Sequence, residues 1–340
     1  MKKKMLMWFL GMALALPVAA NAMSEKMAQI YKDAEKEGQL LWTSTLRERE
    51  AMPFVKAFNK EHPNIKASFQ RSHGGQAMER LIREVQTGNV PYDVVHIHPD
   101  YMQEFLKMDV IEKVDWAALG VYPEFIHFGS RFVGAFSDPF VFVFNTNLVK
   151  KGEEPKTWED FLDPKWKGKF VVDTRPSGFL RLTGAWGPEK VLDYLRRLRE
   201  NEPIFLRGQT QTATLMAAGD YTMSVSMYLS SYVHVGEKKG GPLGFSVPNP
   251  VPTANTDYGI IKGIKNPNAA KVFLTWLGTK GFKLMDKVNW ARSTPYRDTR
   301  AAELFKGKTL SLPPTPEQVP DRQKFTQEML KALGVRKKKK

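Results

Sequence analysis

The chain has 340 residues, a formal net charge of +15 and no cysteine, so neither disulfides nor thiolate metal ligands can hold it together. The charge sits partly at the ends: it falls to +12 without Lys2, Lys3 and Lys4, and to +7 without the basic run Arg336 to Lys340. The other Lys and Arg are spread among many acids rather than clustered with aromatics, which argues against a nucleic-acid partner and leaves a modest bias toward anionic ligands or an anionic membrane surface, beside a plain solvated surface.

Lys2 to Lys4 precede an apolar run from Met5 to Leu16, and Ala20-Asn21-Ala22 offers small residues for cleavage, so residues 1–22 read as a secretory signal. The run is shorter than the ~20 residues a membrane span needs, and no later segment is continuously apolar for that length. The mature chain is expected in the periplasm, at a length that suits two domains. Gln39 to Thr43 then reads as a strand and Arg49 to Glu61 as a helix with Met52, Phe54, Val55 and Phe58 at helical spacing. Asn64 to Arg71 alternates as a strand, Gly75 to Gly88 carries Met78, Leu81, Ile82 and Val85 on one helical face, Asp93 to Ile97 is a third strand and Tyr101 to Met108 a third helix. This βαβαβα order implies a parallel sheet with ligand-binding loops at the carboxyl ends of its strands.

Phe136 to Val149 (FSDPFVFVFNTNLV) is too long and apolar for a surface linker and predicts one strand crossing between two lobes. A second alternation follows: strand Phe170 to Asp173, helices Ser177 to Trp186, Pro188 to Asn201 and Gln209 to Ala218, and strand Thr222 to Ser226. Asp257 to Lys262 reads as a return strand, and Asn268 to Leu277 as a helix with Ala270, Val272, Phe273 and Trp276 on its apolar face.

The segments EVQTG with YDVVHI, FNTNLV, PKTWEDFLDPKWKGKF, MAAGDYTMSV and KGIKNPNAAKVFLTWLGTKGF together resemble the extracellular solute-binding proteins of bacterial ABC importers, within the branch often named for ferric iron carriers. Trp158, Phe161, Leu162, Trp166 and Phe170 in the third segment, and Ala269, Val272, Phe273 and Trp276 in the last, also read simply as core. The resemblance implies an α/β fold of the two-lobe periplasmic binding protein kind (type II-like), with a ligand cleft between lobes and two crossover strands. Lobe 1 would comprise 23–134 and 258–290, lobe 2 135–257 and 291–335, and 336–340 a basic tail. It further implies no enzymatic activity and no cofactor, a monomer, a small-molecule ligand captured by hinge closure, and delivery to an inner-membrane ABC permease and its ATPase.

Polar ligands in such a cleft are held by short hydroxyl side chains and by backbone N–H groups at helix starts, which carry partial positive charge. Lobe 1 offers Thr43, Ser44 and Thr45 after its first strand, Ser72, His73 and Gly74 before its second helix, and His98 past its third strand. Lobe 2 offers Arg175, Ser177 and Gly178 after strand Phe170 to Asp173, Thr210 at a further helix start, and Ser226 and Tyr228 from the strand that follows. Ser177 and Thr210 equally suit helix capping, and Arg175 equally suits pairing with Asp173. Tyr228 and Trp42 could supply an aromatic wall, although Trp42 fits a core as well. Together these residues favour a phosphate ester, phosphonate or carboxylate.

A bare ferric ion calls for anionic oxygen ligands, in this family typically adjacent tyrosines. In SVSMYLSSYVHV, Tyr228 and Tyr232 are separated, so ferric iron fits better as a chelate with an organic acid. A reading from another class is an exported hydrolase whose metal is held by His73, His96, His98 and Asp100, the H-x-H pair lying on one strand face. Against it, His96 in a sheet buried on both faces would be packed and satisfied by a hydrogen bond.

Overall fold

The computed structural model describes residues 15–335; residues 1–14 of the expected signal and the basic tail 336–340 lie outside them. Residues 15–22, with the cleavage candidates, continue into the helix Ala15–Glu37. Among the described residues no helix is long and apolar enough to cross a membrane. The chain forms two compact units. Unit 1 runs to Ile97 and adds Glu104–Gly134 and Asp257–Gly281, whereas unit 2 comprises His98–Gln103, Ala135–Thr256 and the described chain from Phe282. Two of the divisions fall inside strands, Phe132–Ser137 and Asn255–Gly259.

In unit 1 the strand Gln39–Ser44 pairs in parallel with Lys66–Arg71, and the helix Glu48–Glu61 between them buries Ala51, Phe54, Val55 and Phe58. Trp42 has no exposed surface. Its ring meets those of Phe54, Phe69, Tyr258 and Phe273 at centroid distances of 5.1 to 6.1 Å, so it is core and not an aromatic wall. The expected strand Asp93 to Ile97 contracts to Val95–His96, which pairs antiparallel with Asn255–Gly259, while Val94 keeps a parallel bridge to Trp42 of the first strand. The Asp93 amide donates to the Leu41 carbonyl at 2.9 Å, and its buried carboxylate strengthens the same seam. That carboxylate accepts from the Leu41 amide at 2.7 Å and from the Asn266 side chain at 3.1 Å. The helix Pro267–Thr279 closes the core with Ala269, Val272, Phe273 and Trp276.

Unit 2 is built on a five-stranded mixed sheet in the order Leu243–Ser246, Phe140–Asn145, Met223–Tyr228, Phe170–Asp173, Ile204–Leu206. The expected single strand over 136–149 is instead two, Phe132–Ser137 and Phe140–Asn145. Pro139, with no amide to donate and a fixed φ, breaks the run. Alternation along FVFVFN then feeds two cores. Phe142 and Phe144 join Trp158, Phe161, Trp166, Phe170, Phe179 and Tyr194, while Val141 and Val143 join Met227, Leu229, Trp290 and Phe305. This two-sided burial fixes the register of the sheet, and with it the strand ends that carry polar groups.

Candidate functional site

Those strand ends gather on unit 2. Asp173, at the end of its strand and buried, takes Arg175 as a fork: Oδ1 accepts from Nε at 3.0 Å and Oδ2 from Nη2 at 2.9 Å. It also accepts from the Arg175 amide at 2.8 Å, the Gly208 amide at 3.3 Å and Gln209 Nε2 at 3.1 Å. One carboxylate therefore fixes the starts of two helices, Ser177–Trp186 and Gln209–Ala218. Of the two readings of Arg175, pairing is realised, although half of its side chain stays exposed. The bond to Asp173 raises its pKa further.

Gly178 sits in the first turn of its helix directly under Ser226. A Cβ added at Gly178 would meet Ser226 Oγ at 2.0 Å and the Phe140 ring at 3.3 Å, so only glycine fits. Ser226 is 6% exposed, and its Oγ has no hydrogen-bond partner among the described residues. A buried hydroxyl in that state is unusual. Beside it the rings of Phe140 and Tyr228 lie 4.1 Å apart.

One turn further along the helix stands Arg181, a residue that pattern reading passed over because it lies mid-helix in an apolar run. It is 7% exposed, its guanidinium lies 4.8 Å from the Phe140 ring and 5.5 Å from that of Tyr228, and Nη1 donates to the Asp138 carbonyl at 2.9 Å. The Asp138 carboxylate lies 3.7 Å from Arg292. Burial pushes the Tyr228 phenol upward against the field of Arg181, Arg175 and Arg292, so it is neutral at pH 7. His98 belongs to this unit: burial, with Arg181 and Arg322, holds its imidazole below the usual range. Arg322 reaches the same turn by donating to the Pro99 carbonyl at 2.6 Å. Arg181, Arg292 and Arg322 are charges on three separate segments, whose convergence no local spacing in the sequence announces.

The remaining candidates divide. Thr210 Oγ1 lies 3.5 Å from Ser231 Oγ, and Ser177 is half-buried at its helix start, its amide donating to the Arg175 carbonyl. In unit 1, Thr43 and Ser44 are buried, and Ser44 Oγ is engaged by Tyr258 Oη at 2.8 Å and by the Leu46 amide at 3.3 Å. Thr45 is half-buried. Ser72, His73 and Gly74 form an open turn, with Gly74 at φ +85° and His73 exposed, bordering a surface hollow lined also by Arg71, Arg80 and Arg83. The metal set expected for a hydrolase does not assemble. His96 faces inward with Nδ1 3.0 Å from the Asp257 carbonyl, and among the described residues no three His, Asp or Glu side chains come together to hold an ion.

The fold is the mixed α/β fold of the two-lobe periplasmic binding proteins. Residues 43–283 match the family model of the bacterial extracellular solute-binding proteins, and the chain belongs to that family. Its members bind small ligands and work with an ABC permease and ATPase; they are not enzymes. The chain is 30% identical over 149 residues to an uncharacterised protein of Haemophilus influenzae, a match covering 39% of this chain and 40% of that one. It is 21% identical over 282 residues to the Fe(3+)-binding periplasmic protein of Serratia marcescens, covering 79% and 82%. Among solved structures it is similar to the periplasmic binding protein AfuA from Actinobacillus pleuropneumoniae with exogenous fructose-6-phosphate bound, at a TM-score of 0.63 and 19% identity over 88% of this chain and 99% of that one.

Proposed function

We propose that the protein captures a small anionic organic ligand, a phosphate ester, phosphonate or carboxylate, and delivers it to an ABC permease. The observation that carries this reading is the convergence on unit 2 of Arg181 and Arg292 at Asp138, beside Tyr228, with Arg322 at the turn that holds His98. Guanidinium groups present planar forks that match carboxylate and phosphoryl oxygens, and a helix start adds aligned N–H groups without side-chain entropy. Arg175 is neutralised by Asp173 and serves the site by holding the loop. The ligands named for the relatives, iron and fructose-6-phosphate, span both alternatives raised by the sequence. The donor chemistry favours the anion: a bare ferric ion calls for anionic oxygen ligands, typically adjacent tyrosines, whereas the groups beside Tyr228 are the guanidinium groups of Arg181, Arg175 and Arg292. A ferric chelate would enter through its carboxylates.

A thermal-shift screen of the mature protein against sugar phosphates, phosphonates, carboxylates, ferric citrate, polyamines and zinc tests the reading. A ligand at 100 times its Kd adds about 2.7 kcal/mol. Stabilisation by anions alone is expected; stabilisation by polyamines or zinc alone overturns it.

A further inference from the structure

Arg322 lies outside residues 43–283, the segment that matches the family model. It opens the helix Arg322–Leu333, anchored to the core of unit 2 by Phe325, Met329 and Leu333. Nη1 donates to the Pro99 carbonyl at 2.6 Å, which carries the charge to the turn holding His98 and Asp100. Its Nε is buried and meets no acceptor among the described residues. The charges it feels are Asp100 and, with the opposite sign, Arg181; desolvation lowers its pKa. Asp100 compensates it weakly, since its side chain is 56% exposed and screened by water. Two guanidinium groups, one deeply buried and one with a buried unsatisfied N–H, thus share a site short of buried negative charge, an arrangement that is costly until an anion enters.

We propose that Arg322 sets the charge preference of this site, selecting a doubly ionised phosphoryl group over a singly ionised carboxylate. The inference rests on the anion-binding reading of unit 2. Its physical basis is that Coulomb energy scales with the product of charges, so the same cation contributes twice as much to a dianion as to a monoanion. A phosphomonoester carries close to two negative charges just above neutral pH, a carboxylate one.

The test is isothermal titration at pH 7.5 and fixed ionic strength, with fructose 6-phosphate and inorganic phosphate as dianionic probes and gluconate as the monoanion. The wild type binds the dianions more tightly. Arg322→Gln weakens them by about a hundredfold and gluconate by about tenfold, and Arg322→Lys keeps the wild-type ranking. Should Arg322→Gln fail to fold, Asp100→Asn reads the same quantity with the sign reversed, tightening the dianions by the larger factor. Equal losses for both charge classes, or a wild type that prefers gluconate, overturn the proposal while leaving the anion site standing. A wild type that binds none of the three overturns the anion-binding reading itself, before any variant is made.

Discussion

Replacing His127 by Gln removes one half of a buried pair at the point where both crossover strands enter unit 1. Nδ1 of His127 lies 2.5 Å from Asp257 Oδ1, and Nε2 lies 3.2 Å from the Glu124 carbonyl. Two acceptors facing two ring nitrogens require both to donate, which only the imidazolium can do. Burial alone would lower the His127 pKa, but the Asp257 carboxylate and the Glu124 carbonyl outweigh it and raise the value above the ordinary 6.5. Gly134 closes the arrangement, since a Cβ there would fall 2.4 Å from Asp257 Oδ1. The sign follows: a folded pKa above the unfolded one adds stability that is fully present below about pH 6.5 and is lost as pH rises through the folded value, at up to about 1.4 kcal/mol per pH unit. Leaving Asp257 buried without its cation costs about 3 kcal/mol near pH 6. Urea unfolding of wild type and His127→Gln between pH 5.5 and 9 reads the difference directly, and that difference is expected to shrink as pH rises. Parallel stability curves would refute the charged-pair argument.

Further outcomes follow from the same geometry. Asp173→Asn puts an amide donor among five donors and frees both helix starts; it should lower stability by about 2 to 4 kcal/mol, read by denaturant unfolding, and weaken anion binding as well. Gly178→Val drives side-chain atoms into Ser226 and Phe140 and should cost about 1 to 3 kcal/mol in the same assay while abolishing titratable binding. Tyr228→Phe should leave anion affinity within about threefold in calorimetry, because the neutral ring packs on Phe140 and the phenolate plays no part.

The strand and helix segments in unit 2 were legible because their signal is local. FVFVFN alternates, helix Gln209–Ala218 follows a glycine at positive φ, and Ser177 and Gly178 stand just past a strand. What escaped was decided by distant partners. Asp93 reads only as a strand residue, with nothing local to show that Leu41 and Asn266 claim its carboxylate. Ser44 looks like a free hydroxyl at a strand end until Tyr258, 214 positions on, is seen to take it. The cations of the proposed site were missed for the same reason: Arg181, Arg292 and Arg322 lie on separate elements whose own patterns announce no charge cluster, and only tertiary folding brings Asp138, Tyr228 and His98 near them. Pro139 was visible in the sequence, and the break it imposes on 136–149 was readable from its missing amide alone.

The central claim, an anion site built on the guanidinium groups of unit 2, is tested most directly by titrating the best anionic ligand from the thermal screen into wild type and Arg181→Gln, with the unliganded melting of both recorded as a check on folding. Arg181 is nearly fully buried against Phe140 and Tyr228, so loss of its charge should weaken binding by about two orders of magnitude while the variant stays folded. Binding unchanged in a folded Arg181→Gln protein would contradict the account.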